Sequence, residues 1–544
     1  MNPYKEALEV DTRTASASRV TTAAALVPGL TILCHPDLDR VGERAPLPGL
    51  ASGREERVSR KEPGFTAPGA QPAVPRPLAD PYVSRAPVRL VPVAATGGVR
   101  IVCGESRTPV AAGGRAIDGE AAVSRGEIER GVVLQLGSRI VLLLHDLDPL
   151  PPPADLPAFG LVGASAALVE LRREVRRLAP LDVAVLLRGE TGTGKELVAR
   201  ALHEAGRRAG GPYLTVNLAA VPAALAAAEL FGAARGAFTG AERARPGYFG
   251  LAAGGTLLLD EIGEAPAEVQ PMLLRALECR EIQPVGGGEP HRVDVRLIAA
   301  TDADLEAAVT AGRFRAPLLH RLGSYEIRLP PLRQRRDDIG RLLLHFLGLE
   351  LAALGAEDRL RGDRAGERPW LPAALVARLA AADWPGNVRQ LRNVARQLAI
   401  AGHASQEAVW GPHLDLLLAG AAHAAPGGPG EAPGDSAAAA AAASSSRPPR
   451  KVYRRLEEIG DDELLAALRS HRWRLQPAAA GLGVSRTALY ERIERSPSLH
   501  KAADLSRDEI ESCRARCGGN LDAMAETLEV SRRGLVRHMK RLGL

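Results

Sequence analysis

The string RGETGTGKE at residues 188–196 lies between a strand-like AVLL and a helical ELVARALHEA. Glycines at 189, 192 and 194 let the backbone turn until successive N–H groups face one anion. The helix that follows adds the positive end of its dipole. Lys195 then reaches the β- and γ-phosphates of a nucleotide, inside a loop completed by Gly189, Glu190, Thr191, Gly192, Thr193 and Gly194. Glu196 stands where a Ser or Thr hydroxyl usually meets Mg²⁺. A second apolar run, GGTLLLDE at 254–261, ends in two acids. At a strand's C-terminal end, Asp260 is placed to hold Mg²⁺ and Glu261 to polarise an attacking water. Together the two strings predict ATP and Mg²⁺ as ligands and phosphoanhydride hydrolysis as the chemistry. A Gly-rich turn with a chance lysine, and a strand end with two solvated acids, are the plainer alternatives.

A second kind of chemistry is encoded near the C-terminus. LQPAAAGLGVSRTALYERI at 475–493 has small residues where two helices must pack, Gly483 near a turn, and Ser485 as a helix cap. This is helix-turn-helix grammar, and it points Arg486, Thr487 and Tyr490 at a DNA groove or phosphates. Shifting the chain by 46 residues superimposes Leu475 on Leu521, Ala479 on Ala525, Leu482 on Leu528, Val484 on Val530, Ser485 on Ser531 and Leu489 on Leu535. The pattern therefore occurs twice, with Arg532, Arg533 and Arg537 in the second copy. The alternative for that copy is a helical dimerisation hairpin with a solvated basic face. Cys513 and Cys517, four apart on a helix, read as packing rather than as a metal site.

The elements that must position these groups follow from composition. The chain has 544 residues, 46% apolar and 25% charged, with Gly 56 and Pro 41. Several domains with packed cores are expected. Aromatics are 3%, so the cores must be built from Ala, Leu and Val. No apolar run approaches the roughly 18 residues of a membrane span. Five Cys do not make a disulfide framework, so a reducing, cytoplasmic protein is expected. The net charge is +6, and residues 451–544 hold 18 Lys+Arg against 14 Asp+Glu, which places most of the surplus beside the DNA-reading pattern.

Short apolar runs separated by turns over 28–146 predict an all-β sandwich. Strand-like runs alternating with Ala/Leu-rich helical stretches over 158–330 predict an α/β layer, followed by a helical lid over 331–403. Residues 420–450, low in large apolar side chains, predict a flexible linker. Residues 455–497 and 504–544 predict two all-α helix-turn-helix units.

GETGTGKE, ELFG at 229–232, GAFTGA at 236–241, GGTLLLDEIGE at 254–264, LPPLRQRRDDI at 329–339 and WPGNVRQLRN at 384–393 occur in the order found in sigma-54-dependent transcriptional activators, the bacterial enhancer-binding proteins of the AAA+ ATPase class. The chain resembles that family over 158–403 and into its C-terminus, where the first unit is similar to the Fis-type DNA-binding domain. The resemblance implies a loop, Gly236, Ala237, Phe238, Thr239, Gly240 and Ala241, whose tip contacts sigma-54 RNA polymerase. It implies Asn217 as a switch residue sensing Glu261, although a strand-end Asn bonding its own turn is the equal alternative. It implies Thr301 and Asp302 as a first sensor, with Asp302 in place of the usual Asn, and an ionised carboxylate cannot donate a hydrogen bond. It implies Arg315 and Arg321 as arginine fingers acting on a neighbour's nucleotide, hence a homo-oligomer, typically a hexameric ring. Arg389 matches the second sensor. Ala233 and Ala234 replace the His and Glu that commonly precede the loop.

Residues 28–146 resemble a forkhead-associated (FHA) domain, on Gly53-Arg54, on Ser84-Arg85 and on the closing strands GVVLQLGSRIVLLLH. This implies a phosphothreonine protein partner held by Arg54, Ser84 and Arg85. Pro87 and Arg107 replace the family's His and Asn, so a docking module without phosphate binding is the alternative. The whole predicts an activator that binds upstream enhancer DNA and uses ATP to remodel sigma-54 RNA polymerase. Another AAA+ remodeller, or a DNA-binding regulator with a silent ATPase, are the rivals.

Overall fold

The computed structural model describes residues 26–69, 74–149, 155–234, 237, 244–287, 289–360, 369–411, 414–415, 461–471, 505–517, 521–530 and 532–542, with isolated residues between 473 and 489. The chain divides into two compact units, at Gly428/Pro429.

The first unit begins with ten strands: β1 (Val27–Cys34), β2 (Arg44–Pro46), β3 (Glu56–Val58), β4 (Val88–Val93), β5 (Gly98–Val102), β6 (Val110–Ala112), β7 (Arg115–Ala116), β8 (Glu120–Val123), β9 (Val132–Leu136) and β10 (Ile140–Leu147). Two short helices, α1 (Pro48–Ala51) and α2 (Arg125–Arg130), interrupt them. The strands form two sheets, in the orders β2-β1-β10-β9-β6-β7 and β3-β4-β5-β8. Every pairing is antiparallel. Leu30, Ile32, Leu142 and Leu144 of the first sheet and Leu90 and Ile101 of the second are buried in one core. Side chains alternate across a strand, so Leu33, Val141 and Leu143 point to the opposite face of the first sheet. They are buried too, in a core shared with helices described below. That double burial explains why Ile140–Leu144 of β10 read as a continuous apolar run and why β1 is buried from Leu30 to Cys34, Thr31 included.

The middle of the unit is a parallel sheet in the order β12-β13-β16-β11-β17, built from β11 (Val185–Arg188), β12 (Tyr213–Asn217), β13 (Thr256–Asp260), β16 (Arg296–Thr301) and β17 (Glu326–Arg328). A small hairpin, β14 (Glu281–Ile282) and β15 (His291–Arg292), stands apart from it. The helices are α3 (Ala166–Leu178), α4 (Lys195–Glu204), α5 (Ala223–Phe231), α6 (Tyr248–Leu251), α7 (Val269–Cys279), α8 (Leu305–Thr310) and α9 (Ala316–Leu322). Val185, Leu187, Leu258 and Ile298 face one core, and Leu186, Leu257, Leu259 and Leu297 the other. Both faces are therefore covered, as a parallel sheet requires. Three further helices, α10 (Ile339–Ala353), α11 (Ala373–Ala381) and α12 (Asn387–Gly402), pack around Leu343, Val376, Leu379, Trp384 and Leu391. The same core holds Leu33, Cys34, Val133, Val141 and Leu143 of the antiparallel domain.

The second unit contains α13 (Asp461–Ser470), α14 (Arg507–Arg516), α15 (Leu521–Thr527) and α16 (Arg532–Leu542). Leu464, Ala478, Ala479 and Leu489 are buried in one small core; Ile510, Met524, Ala525 and Leu535 are buried in a second. Each member of the second set lies 46 residues beyond its counterpart in the first, so the sequence repeat is also a repeat of buried positions. Arg469 and Glu529 join the two with hydrogen bonds of 2.8 and 3.1 Å. Among the described residues, no helix is long and apolar enough to cross a membrane.

Candidate functional site

The C-terminal ends of the parallel strands gather the predicted chemistry. Strand β11 runs into the loop 189–194, and α4 begins at Lys195. Gly192 and Gly194 have φ of +78° and +106°, where L side chains are strained. A Cβ on Gly192 would also lie 2.4 Å from Gly386 O, so the helical lid closes on the loop at van der Waals range. Thr193 Oγ1 donates to Glu190 O at 2.7 Å and fixes the turn. Lys195 is 7% exposed, and its Nζ donates to Gly189 O at 2.8 Å. The ammonium is thus held inside the loop's concavity, where a phosphate oxygen would replace the carbonyl as its partner. Glu196 is exposed on the first turn of α4.

Parallel register sets the acids around this loop. Asn217 is paired with Asp260 in adjacent strands, and Arg188 with Thr301. Glu261 follows directly, with φ of +53°, a conformation costly for a non-glycine residue and concentrated at functional sites. Its carboxyl is pushed above the usual range by burial first, then by the like charge of Asp302; Lys195 opposes them and Asp260 adds to them. A carboxylate with a raised pKa beside a phosphate loop suits proton acceptance from water. Asp302 accepts a hydrogen bond from the Thr191 hydroxyl, and Thr301 Oγ1 accepts from Ala303 N at 3.0 Å. Among the described residues no three acids, histidines or cysteines converge as a metal-ligand cluster, so of the predicted set Asp260 alone, a hard oxygen donor at the strand end, is left to meet Mg²⁺ beside the phosphates.

Other predicted residues fall as follows. Asn217 Oδ1 accepts from Ala219 N at 3.0 Å, the turn bond weighed as its alternative. Arg315 is exposed at the N-terminus of α9, where Gln270 Oε1 holds its backbone N–H at 2.8 Å. Arg321 is exposed and donates to Leu277 O at 3.3 Å. Arg389, on the first turn of α12, sits over Gly192 and donates its N–H to Gly192 O at 3.3 Å.

Of the loop 236–241, only Ala237 lies within the described residues; Gly236, Phe238, Thr239, Gly240 and Ala241 lie outside them. So do Ser485, Arg486, Thr487 and Tyr490, and the side chains of Arg532, Arg533 and Arg537. In the antiparallel domain, Arg54 is exposed and donates to Ser52 Oγ at 3.2 Å. Ser84 lies elsewhere in the hydrogen-bond pattern, its N–H bound to Thr108 Oγ1 at 2.7 Å and its carbonyl to Arg60 N. Arg85 is exposed beside it. The chain thus places Arg60 next to Ser84, a neighbour that sequence spacing did not single out.

Three residues around the phosphate loop also escaped the sequence reading. Asn387 is fully buried with φ of +50°; its Nδ2 donates to Glu190 Oε2 and Thr191 O, each at 3.1 Å, and its Oδ1 accepts from Leu332 N at 2.7 Å. Arg333 makes two bonds to Glu190, at 2.8 and 2.5 Å. Those bonds, with Asn387, hold the Glu190 carboxyl below its ordinary range. Arg335 is buried and reaches Thr193 O at 3.4 Å. Their signal was the WPGN and RQRR strings, but nothing in the spacing says which atoms they meet.

Residues 161–328 match the model of the Sigma-54 interaction domain, 333–415 that of the AAA+ ATPase lid domain, and 455–495 that of the Bacterial regulatory protein, Fis family. The chain is similar to the DNA-binding transcriptional regulator NtrC of Salmonella typhimurium, 41% identical over 343 residues, which are 62% of this chain and 70% of that protein. NtrC of Escherichia coli is 48% identical over 251 residues, 46% of this chain and 51% of the relative. The nitric oxide reductase transcription regulator NorR1 of Cupriavidus necator is 49% identical over 240 residues, 44% and 45% of the two chains. The chain thus spans about half the length of the latter two.

Proposed function

Because this chain belongs to the NtrC-like family of sigma-54-dependent transcriptional activators, we propose that its ATP hydrolysis remodels sigma-54 RNA polymerase from a closed to an open promoter complex. The observation that carries the reading is the placement of Lys195, Asp260 and Glu261 around one phosphate loop at the C-terminal edge of the parallel sheet. There the Lys195 ammonium and backbone N–H groups of the loop would hold the β- and γ-phosphates, while the Gly189 and Thr193 N–H groups donate to Thr301 O and Glu190 O and shape the turn. Asp260 would hold Mg²⁺, whose charge would offset that of the phosphates. Glu261 takes the proton of the attacking water, and its raised pKa suits that work. Thr301 and Asp302 at the end of β16 would face the γ-phosphate, Asn217 lies beside Asp260 on the other side of β13, and Arg389 bridges loop and lid.

Arg315 and Arg321 act across a subunit boundary in this proposal. Arg315 stands exposed at the start of α9, and an exposed guanidinium on one subunit's surface suits a trans role in a hexameric ring. The Gly236–Ala241 loop is the sigma-54 contact. Ser485, Arg486, Thr487 and Tyr490 read enhancer DNA, and Arg532, Arg533 and Arg537 of the repeat add a second DNA contact. The coincidence of buried positions in the two copies supports that addition. The antiparallel domain is the input module. Its two sheets over one core are compatible with an FHA-like domain, and Arg54, Ser84 and Arg85 are the proposed phosphothreonine contacts. Titration with a phosphothreonine peptide against its unphosphorylated form tests that part separately.

The deciding experiment is ATP-dependent open-complex formation on a sigma-54 promoter, wild type against Thr239→Ala. The expected result is an open promoter with wild type, and ATP turnover without opening for the variant. Turnover without opening by both proteins on several such promoters overturns the remodelling reading.

A further inference from the structure

The segment Leu332–Asp338, between the parallel sheet and the helical lid, sends successive side chains to four different places. Arg333 holds Glu190 and Arg335 reaches Thr193 O, both in the phosphate loop. Arg336 donates to Ala380 O and to Asp383, each at 2.9 Å, in and beside α11. Asp338 accepts from Ala164 N at 2.6 Å, Ser165 N at 2.9 Å and Ser165 Oγ at 2.6 Å, which anchors the start of α3. The remaining acid, Asp337, pairs with Arg44 of β2 in the antiparallel domain at 2.8 Å. The same Arg44 nitrogen donates to Ala164 O at 2.6 Å.

This pair is a poor candidate for incidental surface attraction. The side chains are only 13% and 8% exposed. A buried pair is costly to break from one side, because the other charge is left without compensation. The boundary around it is also tight. A Cβ on Gly340 of α10 would lie 2.5 Å from Leu33 O, so helix and strand touch backbone to backbone. Leu33, Cys34, Val141 and Leu143 share the core of the lid helices. Arg341 donates to Val41 O at 3.2 Å. A cavity lined by Leu33, Cys34, Val41, Gly340 and Leu343 lies at the same boundary, so a displacement of β2 relative to the lid reaches Asp337 through the Arg44 pair itself.

We propose that Arg44 is a positioning residue for ATP binding: by holding Asp337 it fixes the segment whose Arg333 and Arg335 grip the phosphate loop, so that the N-terminal domain sets the loop's affinity for nucleotide. The inference rests on residues 189–196 being the ATP site. It gives the input module a physical route to the ATPase that runs through five consecutive residues, Arg333 to Asp337.

The test is ATP binding by the full chain, read as Kd, beside thermal unfolding of the same samples. Arg44→Met and Asp337→Asn are each expected to weaken ATP binding about threefold to thirtyfold, the span of coupling that buried networks carry. The double variant is expected to be no weaker than the worse single one. Arg44→Lys, which keeps the charge, is expected to recover most of the affinity. Arg125→Gln removes a pair with Asp146 (2.9 and 2.6 Å) inside the same domain, and is expected to lower the unfolding midpoint without moving Kd. If Arg44→Met fails to fold, Asp337→Asn and Arg44→Lys carry the comparison. A folded Arg44→Met or Asp337→Asn with wild-type Kd overturns the proposal, as does an equal loss of affinity in Arg125→Gln. Lys195→Ala separates the two levels: wild-type binding by that variant overturns the site itself, whereas its loss with unchanged Arg44→Met overturns only the coupling.

Discussion

The Asn387 amide donates to the Glu190 carboxylate at 3.1 Å across 197 residues of sequence. One buried side chain thereby ties the first turn of the lid's last helix to the phosphate loop and, through Leu332 N, to the segment that leaves the sheet. Asn tolerates the left-handed backbone found here better than most residues do, so both its conformation and its amide are used.

Replacement of Asn387 by Ala leaves the Leu332 N–H unpaired in a buried setting and strains the backbone at φ of +50°. A loss of about 1–3 kcal/mol is expected, the usual cost of stranding a buried polar group. Chemical denaturation measures it, with weaker ATP binding as the second readout. Unchanged stability would mean that the amide bonds carry no net weight.

Asp302→Asn removes the like charge beside Glu261 and keeps an acceptor for the Thr191 hydroxyl. The Glu261 carboxyl is raised in the wild type, so proton acceptance is lost as pH falls through that raised value. In the variant its pKa falls towards the ordinary range, and the acid limb of the ATPase pH profile moves to lower pH. A profile that stays in place, or moves to higher pH, refutes Glu261 as the titrating base.

Gly340→Ala places a methyl group against Leu33 O and, at 2.9 Å, Val41 Cγ1. Overpacking of this kind costs about 1–3 kcal/mol, and here the cost falls on the boundary between lid and antiparallel domain. Faster amide exchange in β1 and α10 is expected. Gly348, on the same helix, has open space where its Cβ would be. Ala there is expected to stabilise by up to about 1 kcal/mol. Equal effects at the two positions would show that only helix propensity is being measured.

His145 is held far below its ordinary range, to about 3, by burial first and by Arg44 next; its Nε2 lies 2.8 Å from Thr31 Oγ1. A neutral buried imidazole contributes stability that is complete above the unfolded pKa of about 6.5 and is lost progressively below it, as the unfolded chain takes up the proton. His145→Gln should flatten the fall of stability between about pH 6 and pH 3, by at most about 1.4 kcal/mol per pH unit. Parallel curves for the two proteins would show that His145 is protonated in the folded state.

Much of the proposed ATP site was legible because its parts are local. RGETGTGKE and GGTLLLDE each carry their own geometry: glycines at fixed offsets bend one loop, and an apolar run ending in acids makes one strand with a charged tip. The alternation around them predicted an α/β layer, and the parallel register of the structure puts Asn217 beside Asp260. Identical residues at a 46-residue shift likewise made the C-terminal repeat readable, and four positions at that spacing are buried in both copies. Asn217 was left with two readings, since a strand-end Asn bonds its own turn or a neighbour with equal ease, and its turn bond is the one formed here.

Contacts between distant segments were not legible. That Asn387 meets Glu190, that Arg335 reaches Thr193 O, and that Arg44 pairs with Asp337 all depend on how separate elements dock. Sequence determines which residues can bend, bury or carry charge, because those are properties of single side chains and their near neighbours. Which charge meets which is decided by packing, because close-packed cores fix the approach of elements to within a methyl group, as at Gly340. The sequence marked β1 and β10 as short apolar runs of a sandwich, with Leu33, Val141 and Leu143 lying on their second face. Only the tertiary structure decided that the lid, and not solvent or another chain, covers it, because the covering helices lie about 200 and more residues away and leave no periodic trace in the strands themselves.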